Sequence, residues 1–425
     1  MNIFDQLLAD NQIPKFVRVR HEMDHSHIDD IEGAVAQAMR REGTLDRIKP
    51  GDSVCITAGS RDVANIARVI RAICDQVKSG GAHPFIIPAM GSHAGAKAEG
   101  QRGIIEGYGV TEEAMGAPIR ASMDTEVIAH SRSGLEIHLD KFANAADFLI
   151  PVGRIKAHTD FRGEVESGIC KMLVIGMGKQ HGAYQCHKLG FKSMAANVKE
   201  FAGAIIEKKP NMFAIGLIEN AYHQTCRIEA IPAGRILEEE PPLLEYAKSR
   251  MAKVPFDQAD ILFVDETGKD ISGAGMDPNV TGRSPVLGIS RPFFQRIAVF
   301  DLTDKSHGNF GGLGSADVTT QRLYRKIDFE QTYPNGITAA EPLAVRLPAV
   351  MPSDRTAMQF ALRTATDCDW EKGPRIVWLK NTLSLSEFYI SEALIPDAEA
   401  LDNVTIVSEP MEVIFDEEGN VKELR

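Results

Sequence analysis

The sequence predicts an α/β fold of two domains, each built on a mainly parallel sheet, and three observations predict it. The chain has 425 residues, beyond the size at which a single hydrophobic core stops growing. Its first half alternates short β-branched runs with helical patterns, which is how a parallel sheet flanked by helices reads. Past Val254-Pro255 a fresh strand pattern opens at Asp260-Ile261-Leu262-Phe263-Val264-Asp265. The boundary is therefore expected at 255/256. Residues 1–255 would form an N-terminal domain carrying the chemistry and 256–425 a C-terminal domain closing the site, with the cleft between them a natural seat for a ligand.

Each element has its own signal. Val54-Cys55-Ile56-Thr57 is a strand that stops at Ala58-Gly59-Ser60-Arg61. Beyond it Val63, Ile66, Ala67, Ile70, Ile73, Cys74 and Val77 recur at helical spacing and end at Gly80-Gly81, giving a strand, a turn and a helix. Pro84-Phe85-Ile86-Ile87-Pro88 repeats the pattern, runs into Gly91-Ser92-His93 and precedes a helix over 97–106. Phe148-Leu149-Ile150-Pro151-Val152 is a third strand, and it feeds the loop that carries His158. Residues 193–209 read as a helix, 213–218 as a strand, and Pro241-Pro242 as the start of a further helix. In the second half, strands are expected at 296–302, 375–379 and 404–407.

Bulk properties exclude several functions. A net charge of −12 argues against a nucleic-acid surface or a basic membrane-binding face, because both need clustered Lys and Arg. The start, Met1-Asn2-Ile3-Phe4-Asp5-Gln6, lacks the basic head and apolar core of a secretion signal, and no apolar run approaches membrane-spanning length; a cytoplasmic protein is the expectation. The six cysteines include no Cys-x-x-Cys pair, so neither a disulfide framework nor a zinc or iron–sulfur pattern is present.

Arg61, His93 and His158 each follow a strand's carboxyl end, the edge where open α/β sheets bind ligands. In Met90-Gly91-Ser92-His93-Ala94-Gly95 the glycines let the backbone turn sharply while one imidazole stands at the tip; a histidine satisfied by a neighbour is the plainer alternative. Lys171 is embedded beside an apolar run, where partial desolvation favours a nucleophilic amine, against the commoner fate of a lysine stem lying over the core. Gly163, Gly168, Gly176 and Gly178 could turn backbone N–H groups toward a phosphate, although the spacing is neither a Walker loop nor a dinucleotide fingerprint. His181 and His187 stand six apart, on no shared helical face, so spacing leaves open whether either binds a metal.

In this order the residues resemble the nickel-pincer lactate racemases and their 2-hydroxyacid racemase and epimerase relatives, along nearly the whole chain and most densely over 56–191. The resemblance implies two α/β domains with the active site between them. It assigns Arg61, in Gly59-Ser60-Arg61, to the substrate carboxylate, and His93 and His158 to catalytic acid–base work. Lys171 would carry the nickel-pincer nucleotide, a pyridinium-type mononucleotide with sulfur arms, in covalent linkage. His187, sixteen positions after Lys171, would complete the nickel coordination, with His181 less favoured. Gly168 and Gly176 would lie along the cofactor. In the second domain Gly273-Ala274-Gly275-Met276-Asp277-Pro278-Asn279 resembles a family turn, after which Thr281 and Arg283 stand where Gln and Lys are usual. The resemblance places Thr281 and Arg283 at the substrate; these replacements, together with Ala58 where an acidic residue is usual three before Arg61, point away from lactate to another 2-hydroxyacid.

The implied activity is racemisation or epimerisation by reversible hydride transfer from the substrate's alpha carbon to the cofactor. Its partners would be a small 2-hydroxyacid and the proteins that synthesise the cofactor, with no nucleic acid and no membrane, and it leaves a homo-oligomer open. Rival readings are a sugar-acid C2 epimerase, favoured by the polar Thr281-Gly282-Arg283, and a cofactor-free organic-acid-binding protein. A nicotinamide dehydrogenase is disfavoured because no strand opens on the glycine fingerprint.

Overall fold

The computed structural model describes residues 3–60, 63–284, 286, 289, 291–339 and 341–425. By its contacts the chain forms two units, Asp24–Met251 and a second made of Met1–Met23 with Ala252–Arg425. Both are mixed α/β, with mainly parallel sheets at their centres. Among the described residues no helix is long and apolar enough to cross a membrane.

In the unit Asp24–Met251 the strand Ser53–Ala58 lies between His83–Pro88 and Phe148–Ile150, parallel to both. After Pro151 the chain continues as Val152–Arg154, which pairs parallel with Phe213–Glu219 and, through it, with the antiparallel Thr225–Pro232. A hairpin of Thr125–His130 and Glu136–Asp140 stands apart. The helix Ile66–Ser79 buries Ile66, Val69, Ile70, Ala72, Ile73, Cys74 and Val77, the apolar stripe expected from its 3.6-residue period. The helix Phe191–Lys208 likewise turns Met194, Val198, Phe201, Ala202 and Ile205 inward.

One helix departs from the expectation. Pro241 and Pro242 do not open it; they lie inside Ile236–Arg250. Their missing N–H groups deprive the carbonyls of Leu237 and Glu238 of helical donors, a loss that water can meet at the exposed Glu238.

The second unit is built on an eight-stranded sheet, in the order Ala349–Met351, Val318–Thr320, Phe293–Leu302, Gln258–Thr267, Ile376–Leu379, Glu387–Ser391, Phe16–His21, Val404–Ile406. The first five strands are parallel and the last three antiparallel. Phe16, Phe263 and Phe300 each meet Trp378 edge-on within it, Phe16 and Trp378 with centroids 5.2 Å apart.

The division near residue 255 thus comes at Met251/Ala252, and the start of the chain belongs with the C-terminal unit rather than with 24–251. The reason is strand pairing: Phe16–His21 fills the slot between Glu387–Ser391 and Val404–Ile406, where a gap would leave two rows of backbone groups unpaired.

Candidate functional site

Because Val54, Cys55 and Ile56 are in parallel register with Pro84, Phe85 and Ile86 on one side and Phe148, Leu149 and Ile150 on the other, the loops after these strands leave from one edge. Arg61, the expected carboxylate clamp, lies outside the described residues. The described residues that flank it in sequence are tied down: the Ser60 carbonyl accepts from Tyr108 Oη at 2.8 Å. Glu219 accepts the Ala64 amide at 2.8 Å and pairs with Arg154 at 2.6 Å.

The His93 loop is strained. Gly91 and Gly95 have φ of 61° and 63°, and Ala94 and Ala96, which carry a Cβ, have 54° and 55°. Left-handed backbone costs a non-glycine residue about 1–2 kcal/mol, and such strain concentrates at functional sites. The buried Gln101 side chain holds the loop by donating to the carbonyls of Gly91 at 2.8 Å and His93 at 3.3 Å. His93 itself is exposed.

His158 is almost enclosed, its side chain 12% exposed, with the Phe161 ring 4.2 Å from its own. Nδ1 accepts the Asp160 amide at 2.9 Å, so the neutral ring carries its proton on Nε2, which meets Lys171 Nζ at 2.7 Å. Two cations cannot share so short a contact. Burial first, and then Lys171, Lys156, His187 and Arg162, hold His158 well below the usual histidine range, so the imidazole is neutral and its Nε2–H meets Nζ as donor to an amine lone pair.

Lys171 ends a single helical turn, Ile169–Lys171, that runs into a π-helical turn over Met172–Gly176, a distortion frequent at functional sites. The loops of the site pack on this turn. A Cβ at Gly59 would stand 3.3 Å from Met172 Cε, and one at Gly91 3.1 Å from Ile175 Cγ2, while the Gly91 amide reaches the Gly176 carbonyl at 3.4 Å. Gly176 itself is crowded, its Cβ position lying 2.6 Å from Met172 Sδ and 2.9 Å from the Ala89 carbonyl. That of Gly168 is 2.0 Å from Glu240 Oε1. Close packing therefore explains both glycines without a ligand.

His187 ends the helix Lys179–His187. Its Nδ1 lies 2.6 Å from the Ala183 carbonyl, which accepts the ring proton and leaves the Nε2 lone pair for a ligand. Burial holds it below the usual histidine range; the Ala183 bond opposes, and Lys171 and Asp160 act from nearby. His181 goes elsewhere, stacking on His138 with centroids 5.6 Å apart. Among the described residues no group of three or more His, Cys, Asp or Glu could hold a metal ion, so a protein-only metal cage is not found among them.

Several residues that shape the site were missed by sequence reasoning. Lys179 and Asp140 are both wholly buried, 3.2 Å apart, and Lys179 also donates to the carbonyl of Pro88, at the end of the strand that delivers His93. Asp140 receives the amides of Phe142 and Ala143. Burial lowers the Lys179 pKa while Asp140 raises it. Glu166 and Glu240, also buried, accept the amides of His158 and Cys170 at 2.7 and 2.8 Å. A charged residue reads as exposed in a sequence; the only available signal was the run of glycines around them.

Thr281 and Arg283, expected at the substrate, make contacts within their own unit. Thr281 is buried, and its hydroxyl turns back on Arg283's own backbone. The Arg283 guanidinium is committed to Asp317 at 2.5 Å and to the carbonyls of Ser315, Phe294 and Gln295 at 2.8–3.3 Å. It staples strand ends, because a planar fork surrounded by fixed acceptors gains more from them than from a transient ligand.

No protein-family model matches the chain, and no curated protein matches it. Among solved structures the chain is similar to that of the lactate racemase apoprotein from Thermoanaerobacterium thermosaccharolyticum, with 16% identity, 86% of this chain and 93% of that chain covered, and a TM-score of 0.53. A protein from Thermotoga maritima aligns at 11% identity over 83% of this chain and 87% of its own, with a TM-score of 0.44. At these identities the likeness is one of architecture: the chain shares its fold with the lactate racemase apoprotein.

Proposed function

We propose that the chain is an isomerase that racemises or epimerises a small 2-hydroxyacid. The observation that carries this reading is the contact of Lys171 Nζ with His158 Nε2 at 2.7 Å, with His187 close enough to act electrostatically on both. An amine, a neutral imidazole and a second imidazole presenting Nε2 are the donor set that the resemblance to nickel-pincer racemases requires. The shared fold supports it further.

The residues present fit the nickel-pincer nucleotide. A metal that brings sulfur ligands with its cofactor needs one imidazole from the protein, and His187 has the tautomer for it. Lys171 would hold the cofactor covalently, and when bound the group supplies a reversible acceptor for hydride at the substrate's alpha carbon. The protein's own residues do the rest. His158 would move the hydroxyl proton, its lowered basicity keeping it neutral near pH 7. His93 serves the other enantiomer, and Arg61 binds the carboxylate. Phe161 over the His158 ring keeps water from that face.

The test is expression beside the cofactor-assembly proteins, followed by intact-mass and nickel analysis and a panel of chiral 2-hydroxyacids. A mass increase mapped to Lys171, one nickel per chain and interconversion of one acid's enantiomers are expected. Full racemisation by both His93→Ala and His158→Ala, or tight unreactive acid binding with no mass on Lys171, would reject the reading.

A further inference from the structure

Two buried carboxyl groups at the site make no contact with a reacting atom, yet each holds the backbone of one member of the Lys171–His158 pair. Glu240 Oε2 accepts the Cys170 amide at 2.8 Å, one residue before Lys171. Gly168 makes room for this carboxyl: a Cβ there would stand 2.0 Å from Oε1. Glu166 Oε2 accepts the His158 amide at 2.7 Å, and its Oε1 pairs with Lys248 Nζ at 3.0 Å. Both side chains are fully enclosed.

Glu240 and Lys248 belong to the same helix, Ile236–Arg250. One helix therefore grips the lysine turn directly and the histidine loop through Glu166. A backbone bridge between Lys156 and Ser167, N to O at 3.0 Å, lays the two segments side by side. Burying carboxylates is costly when apolar side chains could fill the same space. What they supply is a strong, directional acceptor for an amide N–H.

We propose that Glu240 and Glu166 are positioning residues through which the helix Ile236–Arg250 sets the separation of the Lys171 amine and the His158 imidazole. The proposal rests on the reading of these two as the reactive pair. A shift of about 1 Å in such a pair costs up to about a hundredfold in rate.

The test needs no cofactor. The protein is treated with limiting acetic anhydride, and acetylation of Lys171 is measured by peptide mass spectrometry relative to Lys372, whose side chain is 84% exposed. Glu240→Gln and Glu166→Gln keep an acceptor oxygen but weaken it; Glu238→Gln, on the same helix and exposed, is the control. In folded protein, judged by unchanged circular dichroism, the Lys171/Lys372 ratio should fall about tenfold in both buried variants and stay constant in the control. If a buried variant does not fold, Lys248→Gln, acting on Glu166 from a half-buried position, should lower the ratio in its place. A ratio unchanged in the folded variants, or a wild-type Lys171 no more reactive than Lys372, overturns the proposal. Absence of racemisation in the loaded protein would reject the function while leaving this measurement able to read the positioning.

Discussion

The two units finish their parallel strands in similar ways and use the ends differently. At the edge of the three-stranded sheet in 24–251, Lys171 meets His158 with His187 in their field, beside buried carboxyls that each have a fixed donor. At the edge of the eight-stranded sheet the paired groups are buried and half-buried carboxyls, each committed to a fixed donor. Asp354 binds Arg322 at 3.1 Å, Asp317 binds Arg283 at 2.5 Å, and Asp265 takes the Trp378 indole N–H at 2.5 Å. Strand-end loops alone do not make a reactive site; the difference lies in whether basic groups are forced together or every carboxyl is paired off.

The sharpest way to break this comparison is to remove the buried cation beneath the His93 strand. Lys179→Met leaves Asp140 enclosed without its counter-charge and should cost about 3–5 kcal/mol in urea unfolding; a loss below about 1 kcal/mol would mean that water reaches Asp140. Gly168→Ala drives a Cβ into Glu240 and should cost about 1–3 kcal/mol, with slower Lys171 acetylation. Gly103→Ala, in a helix with nothing within 4 Å, should instead stabilise by about 0.5–1 kcal/mol. Arg283→Ala should lower stability by about 1–2 kcal/mol and leave the KM of the loaded enzyme unchanged; a raised KM would return Arg283 to the substrate.

The smallest and most discriminating effect is on pH dependence. His158 is held below the usual histidine range by burial first and nearby cations second, so the unfolded chain binds the extra proton and stability falls as pH drops below about 6.5. Asp265 is pushed up to about 7, chiefly by burial against the Trp378 bond, so the folded chain binds the extra proton and stability falls as pH rises from about 4 toward 7. Thermal unfolding across this range should lose the acid-side slope in His158→Gln and the opposite slope in Asp265→Asn. The same change in both variants would show that neither group carries it.

Helix faces and strands were legible because burial imposes a period on neighbouring residues. The stripe from Ile66 to Val77 and the strand around Leu262 and Phe263 stand out for that reason. The candidate site was legible in part: Lys171, His158 and His187 come together, while Thr281 and Arg283 are spent on their own unit. His181 and His187 look alike in the sequence, and only the packing of the helix Lys179–His187 stacks one on His138 and sets the other against Phe191, within the field of Lys171.

Local pattern thus specified the α/β class, most elements and the residue types that chemistry would need. Tertiary structure alone decided the rest: that Phe16–His21 pairs with strands more than 360 residues away in sequence, and that Glu240, Glu166, Lys179 and Asp140 are buried. The physical reason is common to both. Periodicity reports which face of an element is dry, whereas a buried charge or a distant strand partner is stabilised by one specific group elsewhere in the chain, and that group leaves no mark on its neighbours' spacing.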